Sequence, residues 1–270
     1  MSELKLHDMG DIILETRDLT KHYGGVHALE GADFILRKGE HVAIMGDNGA
    51  GKSTFVRQIT GVEKPTRGEI VFDGQARQFD GPLDAREAGI ETVFQTLALA
   101  DELNVPDNLF LGREKVLLNL GPFSILDYKG MRDATMNALV KTGVKIPNIR
   151  NTIRNMSGGQ RQCVAIARTA TFHSKLTIMD EPTAALGVQE TRMVAELIDQ
   201  LKSEGIGILL IDHDIHQVKM LCDRANVMKN GQLVGTVKVD EVTEDDLLGM
   251  IIAGKCPPAA IPGPGALQYD

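Results

Sequence analysis

The chain contains 270 residues, enough to bury the core of one large α/β domain or of two unequal lobes that share an interface. Its formal net charge of -8, from 37 acidic and 29 basic residues, argues against a broad binding surface for nucleic acid or for an anionic membrane. The three cysteines, Cys163, Cys222 and Cys256, lie far apart without C-x-x-C spacing, so we expect neither a zinc site nor a disulfide framework.

The start of the sequence and its most apolar run bear on the location of the chain. The first residues, MSELKLHDMGD, are polar and acidic and lack the apolar core of a secretory signal. The most apolar run, residues 206–211, is far shorter than the roughly 20 residues that cross a bilayer as a helix. We therefore expect a cytoplasmic chain whose role at a membrane depends on other chains.

Short β-rich runs alternate with amphipathic helical stretches along much of the chain. Residues 42–45 precede a helical pattern that starts after Gly51, and the apolar runs 176–179 and 206–211 flank another helical pattern. Strands and helices in alternation predict an α/β fold whose core sheet is mainly parallel.

Two dipeptides add antiparallel structure to this sheet. Asp73-Gly74 follows the β-rich residues 69–72 in the first part of the chain, and Asn230-Gly231 separates two short apolar runs near its end. Both dipeptides favour tight hairpin turns. We therefore expect a mixed, mainly parallel sheet together with an N-terminal antiparallel β region.

The middle and the end of the chain have different patterns. Between about residues 97 and 165 helical segments replace the strand patterns, which predicts a helical lobe within a single domain of residues 10–255. The final stretch, PPAAIPGPGALQYD, is rich in proline and glycine. We expect residues 256–270 to form a flexible tail that is mobile or extended on the surface.

The stretch GDNGAGKST fits the phosphate-binding pattern G-x-x-x-x-G-K-[ST] and lies between a predicted strand and a predicted helix, as the motif requires. The glycines let backbone amides face phosphate oxygens, and the helix directs its positive end at the same anion. Lys52 is expected to reach the β and γ phosphates of ATP, and Ser53 to ligate Mg²⁺. A glycine-rich turn before a helix is the simpler alternative. The predicted ATP-binding residues, called the phosphate loop below, are Gly46, Asp47, Asn48, Gly49, Ala50, Gly51, Lys52, Ser53 and Thr54.

A pair of carboxylates ends the later apolar run KLTIMDEP. Asp180 and Glu181 are thereby placed at the carboxyl edge of the predicted sheet, where α/β proteins bind ligands. Asp180 is expected to hold Mg²⁺ through water, and Glu181 to polarise the water that attacks the γ-phosphate. Acidic pairs at strand ends also occur in solvated loops. Together with the phosphate loop, the pair predicts a P-loop nucleoside triphosphatase core.

Residues 155–168, NMSGGQRQCVAIAR, resemble the LSGGQ segment of the ABC ATPase family, with Met156 in place of the leading leucine. A serine and two glycines at a predicted helix start can bind a phosphate through a hydroxyl and backbone amides, although a flexible Ser-Gly turn is the alternative. In the family, this segment of one subunit closes over the γ-phosphate held by the other, so the resemblance implies a head-to-tail dimer. The residues, called the hallmark loop below, are Ser157, Gly158, Gly159 and Gln160.

Further matches extend the resemblance from about Ile12 to Gly254. Gln95 matches the family's glutamine that senses Mg²⁺ and the attacking water, or is a plain loop amide. His213 matches the histidine that contacts the γ-phosphate, whereas a lone histidine is usually structural. Tyr23 matches the aromatic that stacks on adenine, or is a packing residue. The predicted catalytic residues are therefore Glu181, His213, Gln95 and Lys52, and the predicted metal-binding residues are Ser53, Gln95 and Asp180.

One departure from the family pattern concerns the residues after DEPT. Where the family commonly has S-A-L-D, this chain has Ala184, Ala185, Leu186 and Gly187, which puts contacts across the dimer through that loop in doubt. The DEPTAALG variant is similar to that of monosaccharide importers of the ribose, xylose and fructose type. That resemblance implies separate transmembrane permease subunits, an indirect periplasmic or extracellular sugar-binding protein, and a peripheral location on the cytoplasmic face of the cell membrane.

Two other classes of protein use similar motifs. A soluble ABC ATPase that acts on ribosomes or DNA would share the ATP site, but such relatives usually carry tandem cassettes or a long coiled coil. This chain has one cassette, no sustained heptads between Gln95 and Ser157, and a net negative charge, so we expect no nucleic-acid partner. A small-molecule phosphotransferase that uses the phosphate loop alone leaves the hallmark loop without a purpose.

Overall fold

The computed structural model describes residues 11–119, 121–172 and 174–267, apart from the side chain of Pro122. The strands are β1 (Ile12–Tyr23), β2 (Val26–Arg37), β3 (His41–Met45), β4 (Arg67–Phe72), β5 (Gln75–Arg77), β6 (Ile90–Val93), β7 (Val116–Leu118), β8 (Ile125–Leu126), β9 (Leu176–Asp180), β10 (Gly207–Ile211), β11 (Arg224–Lys229), β12 (Gln232–Lys238) and β13 (Ile261–Pro262). The helices are α1 (Lys52–Ile59), α2 (Pro82–Ala88), α3 (Val105–Phe110), α4 (Tyr128–Lys141), α5 (Gly158–Thr171), α6 (Val188–Ser203), α7 (Ile215–Leu221) and α8 (Glu244–Ala253).

A seven-stranded sheet has the strand order β13-β12-β11-β3-β10-β9-β6. The pairs β11–β3, β3–β10 and β10–β9 are parallel, whereas β12 is antiparallel to both β11 and β13. Strands β3 and β10 are buried along their full length, which explains their continuous apolar sequences. The prediction of a mixed, mainly parallel core sheet is confirmed.

A second, four-stranded sheet of order β2-β1-β4-β5 is antiparallel and forms the predicted N-terminal β region. Both predicted hairpin turns are present. Asp73 and Gly74 connect β4 to β5, and Asn230 and Gly231 connect β11 to β12, with φ between 48° and 79° at all four residues. Positive φ at both central residues is the geometry that Asp-Gly and Asn-Gly favour in two-residue hairpins.

The described chain divides into two compact units, one within Met1–Thr92, Lys175–Glu181 and Lys202–Asp270 and the other within Val93–Ser174 and Pro182–Leu201. The first unit contains both large sheets, and its core is an apolar cluster that includes Phe34, Phe55 and Phe72. Phe34 and Phe55 meet edge to face, with ring centroids 5.3 Å apart.

The second unit is mainly helical. Its helices α3, α4 and α5 bury an apolar cluster of their own that includes Phe110, Met131 and Val164, and strands β7 and β8 form a small antiparallel hairpin. The structure thus has helices through the predicted lobe of residues 97–165. The boundaries of a single domain of residues 10–255 stay a prediction. Within the described ranges, no helix combines the length and apolar character that a bilayer crossing requires.

The described part of the C-terminal segment, up to residue 267, follows the edge of the large sheet. Ile261 and Pro262 pair with β12, and the backbone amides of Gly263 and Gly265 donate to the carbonyls of Val234 and Leu233. The segment therefore lies extended against β12, which is one of the two arrangements that the sequence allows. Its flexibility stays a prediction.

A buried ion pair connects β11 to the turn between β2 and β3. The guanidinium of Arg224 donates through Nε and Nη2 to the two carboxylate oxygens of Glu40, at 2.5 and 3.0 Å, and through Nη2 to the carbonyl of Ile35 at 2.7 Å. Glu40 also accepts from the backbone amide of Arg37 at 2.9 Å. The side chains are only 3% (Glu40) and 12% (Arg224) exposed, so each charge depends on its partner.

We expect Arg224→Met to lower the free energy of unfolding by about 3 kcal/mol, because it leaves the Glu40 carboxylate buried without a counter-charge. Urea denaturation followed by circular dichroism measures the change. Lys238→Met is the control, because the Lys238–Glu241 pair is about half exposed and is expected to contribute far less to stability than the buried pair. Equal losses in the two variants would contradict the importance of the buried pair.

Candidate functional site

Three parallel strands of the large sheet end at one edge. Strand β10 lies between β3 and β9, so that Ile211 is level with Ile44 on one side and with Asp180 on the other. The phosphate loop follows β3, the acidic pair ends β9, and Asp212 and His213 follow β10. The register of the sheet therefore brings these segments together at the carboxyl edge, which is where open α/β sheets bind ligands.

The phosphate loop turns sharply before α1. Gly46 has a φ of 147°, and a Cβ atom there would lie 2.3 Å from the carbonyl oxygen of Met228. Gly51 has a φ of 104°, and a Cβ atom there would lie 2.8 Å from the carbonyl oxygen of Ala28. Both positions require glycine on two counts, conformation and space. The strand–loop–helix context predicted from the sequence is present.

Lys52 begins α1 and folds back over the phosphate loop. Its ammonium donates to the carbonyls of Gly46 and Asp47, at 2.6 and 3.0 Å. Burial lowers the pKa of Lys52, and the carboxylates of Asp47 and Glu181 oppose that shift. The first turn of α1 carries no acidic side chain, and the N-cap residue Gly51 provides no side-chain cap. No side chain of that turn therefore neutralises the positive end of the helix, which faces the phosphate loop.

Asp180 is the last residue of β9, and Glu181 follows it directly. Burial, and then the charge of Glu181, raises the pKa of the half-buried Asp180, while Lys52 lowers it. Glu181 itself has a φ of 46°, in the left-handed region that favours glycine, and its amide donates to the carbonyl of Ile211 at 2.9 Å. A strained backbone at this position holds the side chain in a defined direction. Glu181 Oε1 lies 2.7 Å from Nδ1 of His213.

Asp212 is a third carboxylate at this edge that the sequence analysis did not single out. Its side chain is 5% exposed, burial raises its pKa, and it accepts from the backbone amide of Asp214 at 2.9 Å. The signal was present, because Asp212 ends an apolar run just as Asp180 does.

Tyr23 ends β1 and is 42% exposed. Its phenol donates a hydrogen bond to Glu63, and the ammonium of Lys21 lies 5.3 Å from the centroid of its ring. Burial and the neighbouring Glu63 raise the pKa of the Tyr23 phenol. The ring is thus held by two polar contacts rather than by a packed core, which leaves it suited to stacking on a planar group.

The hallmark loop lies in the helical unit. Ser157 caps α5, because its Oγ accepts from the amide of Gln160 at 3.3 Å, while the Gln160 side chain accepts from the Ser157 amide at 3.1 Å. This reciprocal pair is a capping box, and it orients the first amides of α5 in one direction. The loop is therefore an ordered helix start rather than a flexible Ser-Gly turn.

Glu190, in the first turn of α6, is another residue that the sequence analysis missed. Its Oε1 accepts from the amide of Gly159 at 3.1 Å, and its Oε2 accepts from the amide of Gly187 at 3.2 Å. These bonds, and then the nearby Ser157 hydroxyl, lower the pKa of the Glu190 carboxyl. No pattern in the sequence indicates a contact between positions 159 and 190.

Gln95 lies in an exposed turn after β6, in the same compact unit as the hallmark loop. The turn is conformationally unusual, since Leu97 and Ala98 have positive φ values of 33° and 47°. The predicted site residues therefore fall in both units. The phosphate loop, Asp180, Glu181, His213 and Tyr23 belong to the sheet unit, and Gln95 and the hallmark loop belong to the helical unit.

Comparison with known proteins identifies the family. The family model described as "ABC transporter" matches residues 29–184, more than half of the chain. This chain belongs to the ABC transporter family. Similar curated proteins include the xylose/arabinose import ATP-binding protein XylG of Sulfolobus acidocaldarius, 43% identical over 87% of this chain and 92% of the relative. The fructose import ATP-binding protein FrcA of Rhizobium meliloti is 44% identical over 91% of this chain and 96% of the relative.

Solved ABC cassettes share the fold. The ADP conformation of an ATP-binding cassette of an ABC transporter has a TM-score of 0.76 and 26% identity, over 91% of this chain and 100% of that chain. A dimeric bacterial ABC transporter cassette has a TM-score of 0.69 and 25% identity, over 84% of this chain and 99% of that one. The predicted fold class, an α/β nucleotide-binding core with an antiparallel β region and helices, is confirmed.

We expect Gly46→Ala to weaken ATP binding by about tenfold or more, because a methyl group there collides with the Met228 carbonyl and forces the phosphate loop to move. Titration with a fluorescent ATP analogue measures the affinity. Gly74→Ala is the matched control, because Gly74 also has a positive φ, of 75°, but a Cβ atom there meets nothing within 4 Å. Equal affinities of the two variants would show that the close approach at Gly46 is unimportant.

Proposed function

We propose that this ABC cassette is the ATP-hydrolysing subunit of an importer that takes up a monosaccharide or polyol through separate permease subunits. The observation that carries the proposal is the shared sheet edge, where a phosphate loop, two strand-end carboxylates and a histidine–glutamate pair meet. The single-cassette relatives named above are sugar import ATP-binding proteins, and this chain covers more than nine-tenths of each.

The phosphate loop binds the β and γ phosphates of ATP in this proposal. The amides that follow Gly46 and the positive end of α1 face the anion, and the ammonium of Lys52 exchanges its two carbonyl partners for phosphate oxygens. Because a charged acceptor strengthens such bonds, the exchange favours the triphosphate. Tyr23 stacks on the adenine, as the family resemblance implies.

Mg²⁺ fits the donor set at this edge. Asp180 and the buried Asp212 have raised pKa values, which means that the ionised carboxylates lack sufficient positive charge around them. A divalent cation with oxygen ligands supplies that charge, and the Ser53 hydroxyl and the Asp180 carboxylate are the groups that would hold it, with Gln95 added by the family resemblance. When bound with ATP, the ion neutralises charge that develops on the phosphate oxygens.

Hydrolysis requires a group that accepts a proton from water. Glu181 takes that role, because it directly follows β9 at the edge where the phosphate loop follows β3, and its backbone has a strained, positive φ. The water oxygen bonds to the γ-phosphorus, the bond to the β–γ bridging oxygen breaks, and ADP leaves with that oxygen. His213, whose Nδ1 lies 2.7 Å from Glu181 Oε1, positions the carboxylate and contacts the γ-phosphate.

Two copies of the chain complete each other's sites in the proposal. The hallmark loop presents the Ser157 hydroxyl and helix-start amides at a capped, ordered helix end, which suits a phosphate brought by a partner subunit. The solved dimeric cassette has the same fold, which supports a dimer of this chain. ATP, which reaches both subunits through its γ-phosphate, then favours the closed dimer more than ADP does.

The membrane partners follow from the importer role. The cassette works on the cytoplasmic face of the cell membrane against permease subunits, and a periplasmic or extracellular binding protein delivers the sugar to them. The alternative, an ABC ATPase that acts on nucleic acid or ribosomes, is disfavoured by the import relatives and by the net charge of -8.

We expect Glu181→Gln to lower the rate of ATP hydrolysis by about a hundredfold or more, since the amide cannot accept the proton of the attacking water. ATP affinity should be retained, and the protein should accumulate as an ATP-bound dimer. Phosphate release measures hydrolysis and size-exclusion chromatography measures the dimer. Glu196→Gln, at an exposed position on α6, is the control. Undiminished hydrolysis by Glu181→Gln would reject Glu181 as the base.

We expect two inactive variants, Ser157→Arg and Lys52→Ala, to regain activity when they are mixed. In a head-to-tail dimer, the mixed pair has one site with an intact phosphate loop and an intact hallmark loop, because both defects fall in the other site. Random mixing should restore roughly a quarter of the unmodified ATPase rate. If the mixture stays inactive while both variants still dimerise with ATP, the composite site is wrong.

A further inference from the structure

The Glu190 carboxylate lies between the N-terminal ends of two helices. One oxygen accepts from the amide of Gly159 in the first turn of α5, and the other accepts from the amide of Gly187 immediately before α6. Each helix end carries roughly half a positive charge from its unpaired amides. A single negative charge is therefore shared by two positive ends, which is a favourable arrangement and fits the lowered pKa of Glu190.

The contact with α5 is close as well as electrostatic. A Cβ atom at Gly159 would lie 2.7 Å from Cβ and 2.8 Å from Cγ of Glu190, so only glycine admits the side chain at this distance. The neighbouring Ser157 hydroxyl also contributes to the lowered pKa of the Glu190 carboxyl. Glu190 thus takes up the Gly159 amide of the hallmark loop, a donor that the proposed function assigns to a phosphate of the partner's nucleotide.

We infer that Glu190 is an internal counter-anion of the hallmark loop that the γ-phosphate must displace, and that it thereby determines the selectivity of dimer closure for ATP over ADP. The inference rests on the proposed function, because it assumes that the hallmark loop receives the nucleotide of a second subunit. It assigns to Glu190 the role of a positioning residue, since Glu190 acts through the hallmark loop.

The charges of the competing groups explain the selectivity. A terminal γ-phosphate carries more negative charge than a carboxylate and offers three oxygens, so it can replace Glu190 at the amide of Gly159 and also accept from the Ser157 hydroxyl. ADP has no phosphate at that position, and Glu190 then keeps its contacts. After displacement from Gly159, the carboxylate can keep its hydrogen bond with the amide of Gly187, because a different oxygen of Glu190 accepts from each amide.

The glycine at position 187 is compatible with this role. Its amide is one of the two backbone donors to Glu190. A Cβ atom at position 187 would have space, because its nearest neighbour would be Glu190 Oε2, 4.0 Å away. A carboxylate on a side chain at position 187 would place a second negative charge beside Glu190. The departure from the family's aspartate therefore removes a charge that would weaken the hold of Glu190 on the two helix ends.

The test measures the ATP concentration needed for dimerisation in the Glu181→Gln background, where turnover does not empty the site. Analytical ultracentrifugation gives the dimer fraction as ATP is raised, for the parent and for the added substitution Glu190→Gln. We expect Glu190→Gln to lower the ATP concentration for half-maximal dimerisation by about tenfold, since a neutral amide competes less well for the same donors. The affinity of the monomer for a fluorescent ATP analogue should be unchanged.

Added Glu196→Gln is the matched control, because Glu196 lies on the same helix, is 66% exposed and forms an ion pair with Arg192. Added Glu190→Asp keeps the charge but shortens the reach to Gly159, and we expect it also to lower the ATP requirement. An unchanged or raised ATP requirement in both Glu190 variants, with unfolding temperatures equal to the parent, would overturn the inference. A parent that stays monomeric at every ATP concentration would instead refute the proposed dimer.

Discussion

The register of three parallel strands is the constraint on which the nucleotide edge depends. Strand β10 fixes β3 on one side and β9 on the other, so that Ile44, Ile211 and Asp180 stand level. Every charged group of the edge follows one of these strand ends within two residues or lies at the start of α1. A shift of one residue in any pairing would turn the side chains to the opposite face. The fully buried apolar strands make such a shift costly, because it would expose or crowd the core.

The same edge is electrostatically unfavourable on its own. Asp180 and Asp212 have raised pKa values because burial penalises their ionised forms, and Lys52 has a lowered pKa for the same reason. A carboxyl group whose pKa is raised on folding contributes stability at pH values below its pKa in the unfolded chain. This contribution is lost as the pH rises through its pKa in the folded protein. At neutral pH the ionised carboxylates therefore lower the stability of the fold, and the cation and ATP of the proposed function would relieve that cost.

The sequence predicted the parts of the site that are contiguous in the chain. The phosphate loop, the acidic pair and both hairpin turns each depend on neighbouring residues, and motif and turn chemistry identify them. Glu190 and Asp212 escaped the sequence analysis for different reasons. Asp212 ends a buried strand but belongs to no motif, whereas the contact of Glu190 with Gly159 joins positions 31 residues apart and depends on how two helix ends meet. Pairing of the C-terminal segment with β12 is of the same long-range kind.

The two anion-binding elements of the chain differ in what occupies them. The phosphate loop holds an ammonium, that of Lys52, whose carbonyl partners are easily exchanged for phosphate oxygens. The hallmark loop holds a carboxylate, that of Glu190, which in the proposed function an incoming phosphate replaces. A loop that contains a cation accepts both ATP and ADP, whereas a loop that contains an anion accepts only a ligand that outcompetes it. In the proposed function, nucleotide binding and dimer closure therefore have different charge requirements, and only the γ-phosphate meets both.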